Sequence, residues 1–411
     1  MPDGPAAATD DGVDDLVAPA SRAAHLGEVA LLFLRLGFTA FGGPAAHVAL
    51  MEDEVVHRRK WVTRERFLDL VALLNFVPGP NSTELAIHLG LIRAGFAGLV
   101  VAGLCFIVPA VLIILPIAWA YERYGALPRI TGALVGINAG LIAVLAVASW
   151  RFSRSSVTGA FTAVVAVLAV AGMFLARRLD LPQAELLVLA AAATAGAARH
   201  WLASSRNVSL LLLPLSVAAP ATAPSSHWLA ELTFVFLKVG ATLFGSGYVL
   251  VTYLHAELVD RRDWLTQREL LDAVAVGQVT PGPLLTTATF AGYVIGRRAA
   301  GSDAAGALGA VAATAAIFLP AFVFVALLGR WLPRLRERPA ARGALDAANA
   351  AVAGLVVFIT LTLAAQTLRD PLSLLIAGAS FVALLGLKLN ATWVMLAAAA
   401  AGLARAAWQI G

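Results

Sequence analysis

Runs of about 20 apolar residues, each long enough to cross a hydrocarbon layer of about 30 Å, recur along the chain with short charged clusters between them. "GLVVAGLCFIVPAVLIILPIAWA" (Gly98–Ala120), "GLIAVLAVASW" ending at Trp150 and "AVVAVLAVAGMFLA" (Ala163–Ala176) are examples. The pattern predicts an all-α polytopic membrane protein. Composition agrees: of 411 residues 60% are hydrophobic and 13% charged, and the mean hydropathy is +0.83. A soluble domain carries roughly a quarter charged residues.

The net charge of +5 lies in clusters such as "HRRK" (His57–Lys60) and "RWLPRLRERPAAR" (Arg330–Arg342). Such clusters between spans read as topology signals, so no nucleic-acid partner is expected. The single cysteine, Cys105, sits in an apolar run, which excludes a disulfide framework and a thiolate metal site. No metal or cofactor is expected. The acidic stretch at 1–24 lacks a basic-then-apolar signal design and reads as a disordered tail.

The chain is written twice. "FLRLGFTAFGG" (Phe33–Gly43) aligns with "FLKVGATLFGS" (Phe236–Ser246) at an offset of 203 residues, which continues without a gap to the two "PGP" triplets, Pro78–Pro80 and Pro281–Pro283. Glu54 meets Glu257, Asp69 meets Asp272, and "RRKWVT" (Arg58–Thr63) meets "RRDWLT" (Arg261–Thr266). At an offset of 211, "GALVGIN" (Gly132–Asn138) meets "GALDAAN" (Gly343–Asn349). The expected organisation is the tail 1–24, a first repeat 25–203, a linker 204–227 and a second repeat 228–411. The basic cluster Arg330–Arg342 and its poorly basic counterpart Glu122–Arg129 belong on opposite sides of the membrane. That requires an odd number of crossings per half, so one of six apolar segments, the PGP segment, does not cross. The expectation is an inverted repeat with about ten crossing helices plus broken, re-entrant PGP segments.

Proline and glycine at membrane depth are tolerated only where the backbone is buried in protein or lines a polar cavity. A helix restarting after Pro78, Gly79 and Pro80, capped by Asn81, Ser82 and Thr83, offers free N–H groups and about half a positive charge. Its repeat is Pro281, Gly282 and Pro283 followed by Thr286 and Thr287. Two such ends facing one cavity make an anion site. The second glycine break, Gly42 and Gly43 against Gly245, Ser246 and Gly247, allows close backbone approach as a second wall of that pocket, or plain helix packing. Arg35 and Lys238 are matched cations inside apolar segments. They either face the site or snorkel outward, with Glu28 and Glu231 two turns earlier as potential partners. Glu84 and His88 share a helix face after the first PGP and are the candidates for proton coupling, against a reading of Glu84 as a helix-terminus charge. His47 reads as a packed polar residue. No catalytic residue is assigned.

These motifs resemble the chromate ion transporter family in its two-domain, long-chain form. "LGFTAFGGPAAHVALMEDEVVHRRKWVT" with "PGPNSTELAIHLG", and "VGATLFGSGYVLVTYLHAELV" with "TPGPLLTTATFAGY", are similar to that family's N- and C-terminal modules. The resemblance implies a multi-pass transporter of the bacterial inner membrane that exports chromate and confers chromate resistance. Residue chemistry alone implies an anion. A sulfate carrier of the same fold stays open, because the two dianions share shape and charge. A membrane polyprenyl-pyrophosphate phosphatase is the rival from another class, but only one Glu and no Arg follow Asn81–Thr83 before Arg93. The partners expected are chromate or a sulfate-like oxyanion, membrane lipid and, as an open case, a second copy of the chain.

Overall fold

A computed structural model describes residues 19–74, 79, 81–179, 181, 183–203, 227–244, 247–328 and 339–410. Pro78, Pro80, Gly245, Ser246, the first 18 residues, residues 204–226 and residues 330–338 lie outside them. Among the described residues the chain is helical throughout, with no strand. The helices of the first half are α1 (Pro19–Thr39), α2 (Pro44–Glu52), α3 (Arg64–Leu74), α4 (Asn81–Tyr124), α5 (Pro128–Ser156), α6 (Ala160–Arg178) and α7 (Ala184–Ala203). The second half has α8 (Trp228–Thr242), α9 (Val249–Leu254), α10 (Gln267–Val279), α11 (Thr287–Ala300), α12 (Asp303–Leu328), α13 (Pro339–Thr367), α14 (Pro371–Leu385) and α15 (Ala391–Ile410).

The duplication extends to backbone detail. Both α2 and α9 continue into a π-helical turn, Asp53–Arg58 and His255–Asp260. Lys60 and Asp263, one repeat apart, have φ of 52° and 51°. Helix α4 is two antiparallel arms joined at Ala94 and Gly95, the latter with φ 64°; α11 and α12 are the same hairpin with Gly301 at the turn, φ 68°. Small residues close these hairpins: a Cβ on Gly90 would strike the Gly98 carbonyl, and one on Gly292 the Gly309 carbonyl.

Ion pairs at the helix ends give the topology. In the first half Arg93, closing the first arm of α4, pairs with Glu28 of α1 at 2.6 Å and lies 5.4 Å over the Trp61 ring just ahead of α3. The feet of α1, α3 and the first arm of α4 therefore meet at one end. Both α1–α2 and α3–α4 turn back inside the bundle. In the second half Glu269, at the foot of α10, pairs with Arg298, at the end of α11, at 2.6 Å, and the Trp228 ring at the start of α8 lies against Gly296. These feet also meet each other. They do so at the opposite end, because residues 96–124 of α4, about 43 Å of helix, run from Arg93 to Glu122, which pairs with Arg298 at 2.9 Å. The repeats are inverted. Ala126 and Ala340 fall at opposite ends, as the charge asymmetry of their loops requires.

Six helices among the described residues are long and apolar enough to cross a membrane, and α14 is a shorter apolar helix. The six are α4, α5, α6, α12, α13 and α15. The segment broken at Gly42–Gly43 turns back as the PGP segment does. The halves also exchange helices: α5 packs on α15 through Gly132 and Gly136 against Gly402 and Ala398, while α7 packs on α13 through Gly196 against Gly343. Leu168 and Leu175 of α6, Leu112 of α4 and Leu375 of α14 remain exposed on the outside, as a lipid-facing surface requires.

Candidate functional site

The tips of the four turned-back hairpins converge at the centre. The Gly282 amide donates to the Ala40 carbonyl of the other half at 3.1 Å, and the Gly79 amide donates to the Leu243 carbonyl at 2.6 Å. One repeat offset relates Gly79 to Gly282 and Ala40 to Leu243, so the two bonds are one contact made twice. Helix C-terminal carbonyls lack intrahelical partners, and at membrane depth they need one; each PGP glycine supplies it across the pseudo-twofold axis. Glycine is required at both positions: φ is 150° at Gly79 and 97° at Gly282. A Cβ on Gly282 would also lie 2.8 Å from the Ala110 Cβ, and one on Gly79 would strike the Glu84 carboxylate.

The amides that an oxyanion would use at the two PGP glycines are thus engaged in this conformation. So are the hydroxyl protons of the second break, since Thr286 donates to the Pro283 carbonyl at 2.6 Å and Thr287 to the Leu284 carbonyl at 2.8 Å. In the first break Asn81, Ser82 and Thr83 open α4, and Ser82 and Thr83 are buried. The Thr83 hydroxyl, both Glu84 carboxylate oxygens and His88 Nδ1 make no hydrogen bond to described residues. Glu84 is fully buried and folds back against Gly79. His47 is the packed polar residue expected: its Nε2 donates to the Ala40 carbonyl at 3.1 Å, the acceptor already used by Gly282.

Arg35 and Lys238 have partners other than Glu28 and Glu231. Arg35 pairs with Glu54 at 3.4 Å and Lys238 with Glu257 at 2.9 Å. Each glutamate is a hub: Glu54 also takes Arg58 and Arg59, both at 3.2 Å, and Glu257 takes Arg261 and Arg262. The turn at Gly42–Gly43 brings the π-helical turn back alongside α1. Glu28 is drawn to Arg93 instead. The duplicated Glu54–Glu257 position was the available signal for these hubs.

A crevice of about 560 Å³ descends beside the tips. Gly42, Pro44 and Tyr248 form its floor, and Arg151, Lys388 and Asn390 its walls. Gly43 faces the Tyr248 hydroxyl, which is hydrogen-bonded to the side chain of Gln278 next to the second PGP. The crevice thus adjoins both glycine-rich breaks. Arg151, Lys388, Asn390 and Tyr248 are not duplicated residues, and the repeat search passed over them.

An inverted repeat whose broken segments meet at its centre, beside a polar crevice, has the architecture of a secondary transporter. The sequence profile "Chromate transporter" matches residues 27–197 and 230–403, and the chain belongs to that family. It is 31% identical over 392 residues to the chromate transport protein of Cupriavidus metallidurans, covering 92% of each chain. It is also 31% identical to the probable chromate transport protein of Synechococcus elongatus, over 90% of this chain and 93% of the relative. Against the chromate transport protein of Pseudomonas aeruginosa the identity is 31% over 90% of each. No solved structure gives a significant match.

Proposed function

We propose that this chain is a secondary transporter that exports chromate across the bacterial inner membrane and so confers chromate resistance. The reciprocal bonding of the PGP glycines across the two halves carries this reading, with the relatives' names supplying the ion. Two symmetric, mutually exclusive partners for a glycine amide, a helix-end carbonyl or an oxyanion, make a gate: substrate entering between the tips takes the amides and frees the carbonyls. Gly42, Gly43, Gly79 and Gly282 with Asn81–Thr83, Thr286 and Thr287 form its walls. Arg35 and Lys238, held by their glutamate hubs, set a positive field on α1 and α8 behind the tips.

Direction follows from charge. A dianion leaving a cell that is 100 mV negative inside gains roughly 4.6 kcal/mol, an outward bias of about a thousandfold. The Arg93 end, where α13 starts with Arg342, is assigned to the cytoplasm on the positive-inside rule. Glu84 and His88, buried beside the first tip without partners among the described residues, couple a proton to the movement of the gate.

Sulfate is the second reading, favoured by the same tetrahedral dianion geometry. Cells expressing the chain and loaded with labelled chromate or labelled sulfate decide between the two. Faster loss of chromate than from empty-vector cells, unaffected by excess sulfate, supports chromate export. Loss of sulfate alone reassigns the substrate, and loss of neither sinks the transport reading.

A further inference from the structure

The scaffold is symmetric, but the polar crevice beside its tips is built from residues the duplication does not repeat. On the Arg93 end, Arg151 of α5 and Lys388 of the α14–α15 turn line the crevice, and Asn390 stands beside them. Arg151 spends one N–H on the Leu384 carbonyl at 3.4 Å, which leaves the rest of its donor fork for a ligand. The Asn390 side-chain oxygen accepts from the Thr392 amide at 2.9 Å, and this orients its amide nitrogen onto Gly42. At the other end the counterpart of Arg151, at the 211-residue offset, is Thr362. At the same offset Lys388 corresponds to Arg177, which is taken up by Asp260 at 3.9 Å. Arg151 thus has an uncharged counterpart, and that of Lys388 is held in an ion pair.

We propose that Arg151, Lys388 and Asn390 form an antechamber that captures a tetrahedral dianion from the Arg93 end before it reaches the tips. Two cations match the two charges. Arginine offers a planar fork to two oxygens, lysine a point charge, and the Asn390 amide nitrogen is placed to donate to another. Gly42 at the floor lets the anion pass close to the backbone toward Gln278 and the second PGP. Because Arg151 and Lys388 share one crevice at the Arg93 end, capture is one-sided, and a pseudo-symmetric carrier acquires a loading side. This inference rests on the oxyanion-transporter reading and adds its entry site.

The test uses purified full-length protein in liposomes, with chromate or sulfate presented at either face, and equilibrium binding of the same anions in detergent. Arg151→Gln and Lys388→Gln are each expected to raise the half-saturating concentration from the Arg93 end about tenfold, the order expected when one charge-assisted contact is lost. The maximal rate and half-saturation from the other face stay unchanged. Arg151→Lys should restore part of the loss. Lys60→Gln, which removes an exposed charge at the same end outside the crevice, should change nothing. Equal weakening by Lys60→Gln would reduce the effect to surface charge and overturn the antechamber. Normal half-saturation in both crevice variants, with wild type transporting, overturns it too and leaves the transport reading intact. Wild type that binds oxyanion through Arg151 and Lys388 but moves none would sink transport and keep the antechamber.

Discussion

The backbone amide of Gly282 donates to the carbonyl of Ala40 across the interface between the two halves, at 3.1 Å. The same bond made by Gly79 to Leu243 turns a pair of helix breaks into a reciprocal latch. Each hairpin tip satisfies a carbonyl that the opposite half leaves open where α1 or α8 ends.

Replacing either latch glycine should therefore stop transport while leaving the protein in the membrane. Gly282→Val forces a branched side chain into φ 97° and onto Ala110, and such backbone strain alone costs about 1–3 kcal/mol. Membrane-inserted protein with near-normal efflux would make the PGP triplet a structural kink. Gly301→Ala, also at positive φ but in open space at a hairpin turn, should lower thermal stability slightly and retain transport.

The glutamate hubs make a stability prediction. Removing Glu257, whose side chain is 2% exposed, leaves Lys238, Arg261 and Arg262 facing one another without their shared carboxylate. Breaking a buried pair from one side costs about 3–5 kcal/mol. Glu257→Gln should lower the melting temperature of purified protein clearly more than Glu54→Gln, whose hub includes the more exposed Arg35 and Arg58. Equal melting temperatures for both variants and wild type would contradict the role of the hubs.

Topology can be read by labelling. In a Cys105→Ala background, cysteines at Lys60 and Ala340 should react from one side of the membrane, and cysteines at Ala126 and Ser302 from the other. Lys60 reacting with the Ser302 group would contradict the inverted arrangement of hairpins.

Glu84→Gln isolates the proton. The buried carboxylate has no hydrogen-bond partner among the described residues, so its amide should preserve substrate binding and abolish the dependence of transport on an imposed pH gradient. Unchanged pH dependence would leave Glu84 as a charge at a helix start, with membrane potential alone as the driving force.

What could be read from the sequence was what the duplication repeats. The PGP triplets, the glycine break and the matched cations stood out because each occurs twice in register, and the unequal basic charge of the Ala126 and Ala340 loops pointed to the inversion. The partners of Arg35 and Lys238 did not stand out. Helical spacing points Arg35 to Glu28, two turns away on its own helix, and only the turn at Gly42–Gly43 brings Glu54 alongside. Arg151 and Lys388 escaped because they come from distant elements, α5 and the α14–α15 turn, and neither is repeated.

The most direct measurement of the latch as a transport gate is uptake of labelled chromate into inside-out proteoliposomes under an imposed potential, with wild type beside Gly282→Val. Wild type should accumulate chromate in the export direction, and the folded, reconstituted variant should not. Equal accumulation by both, or none of either chromate or sulfate by correctly inserted wild type, would contradict a central oxyanion path between the Gly79 and Gly282 tips.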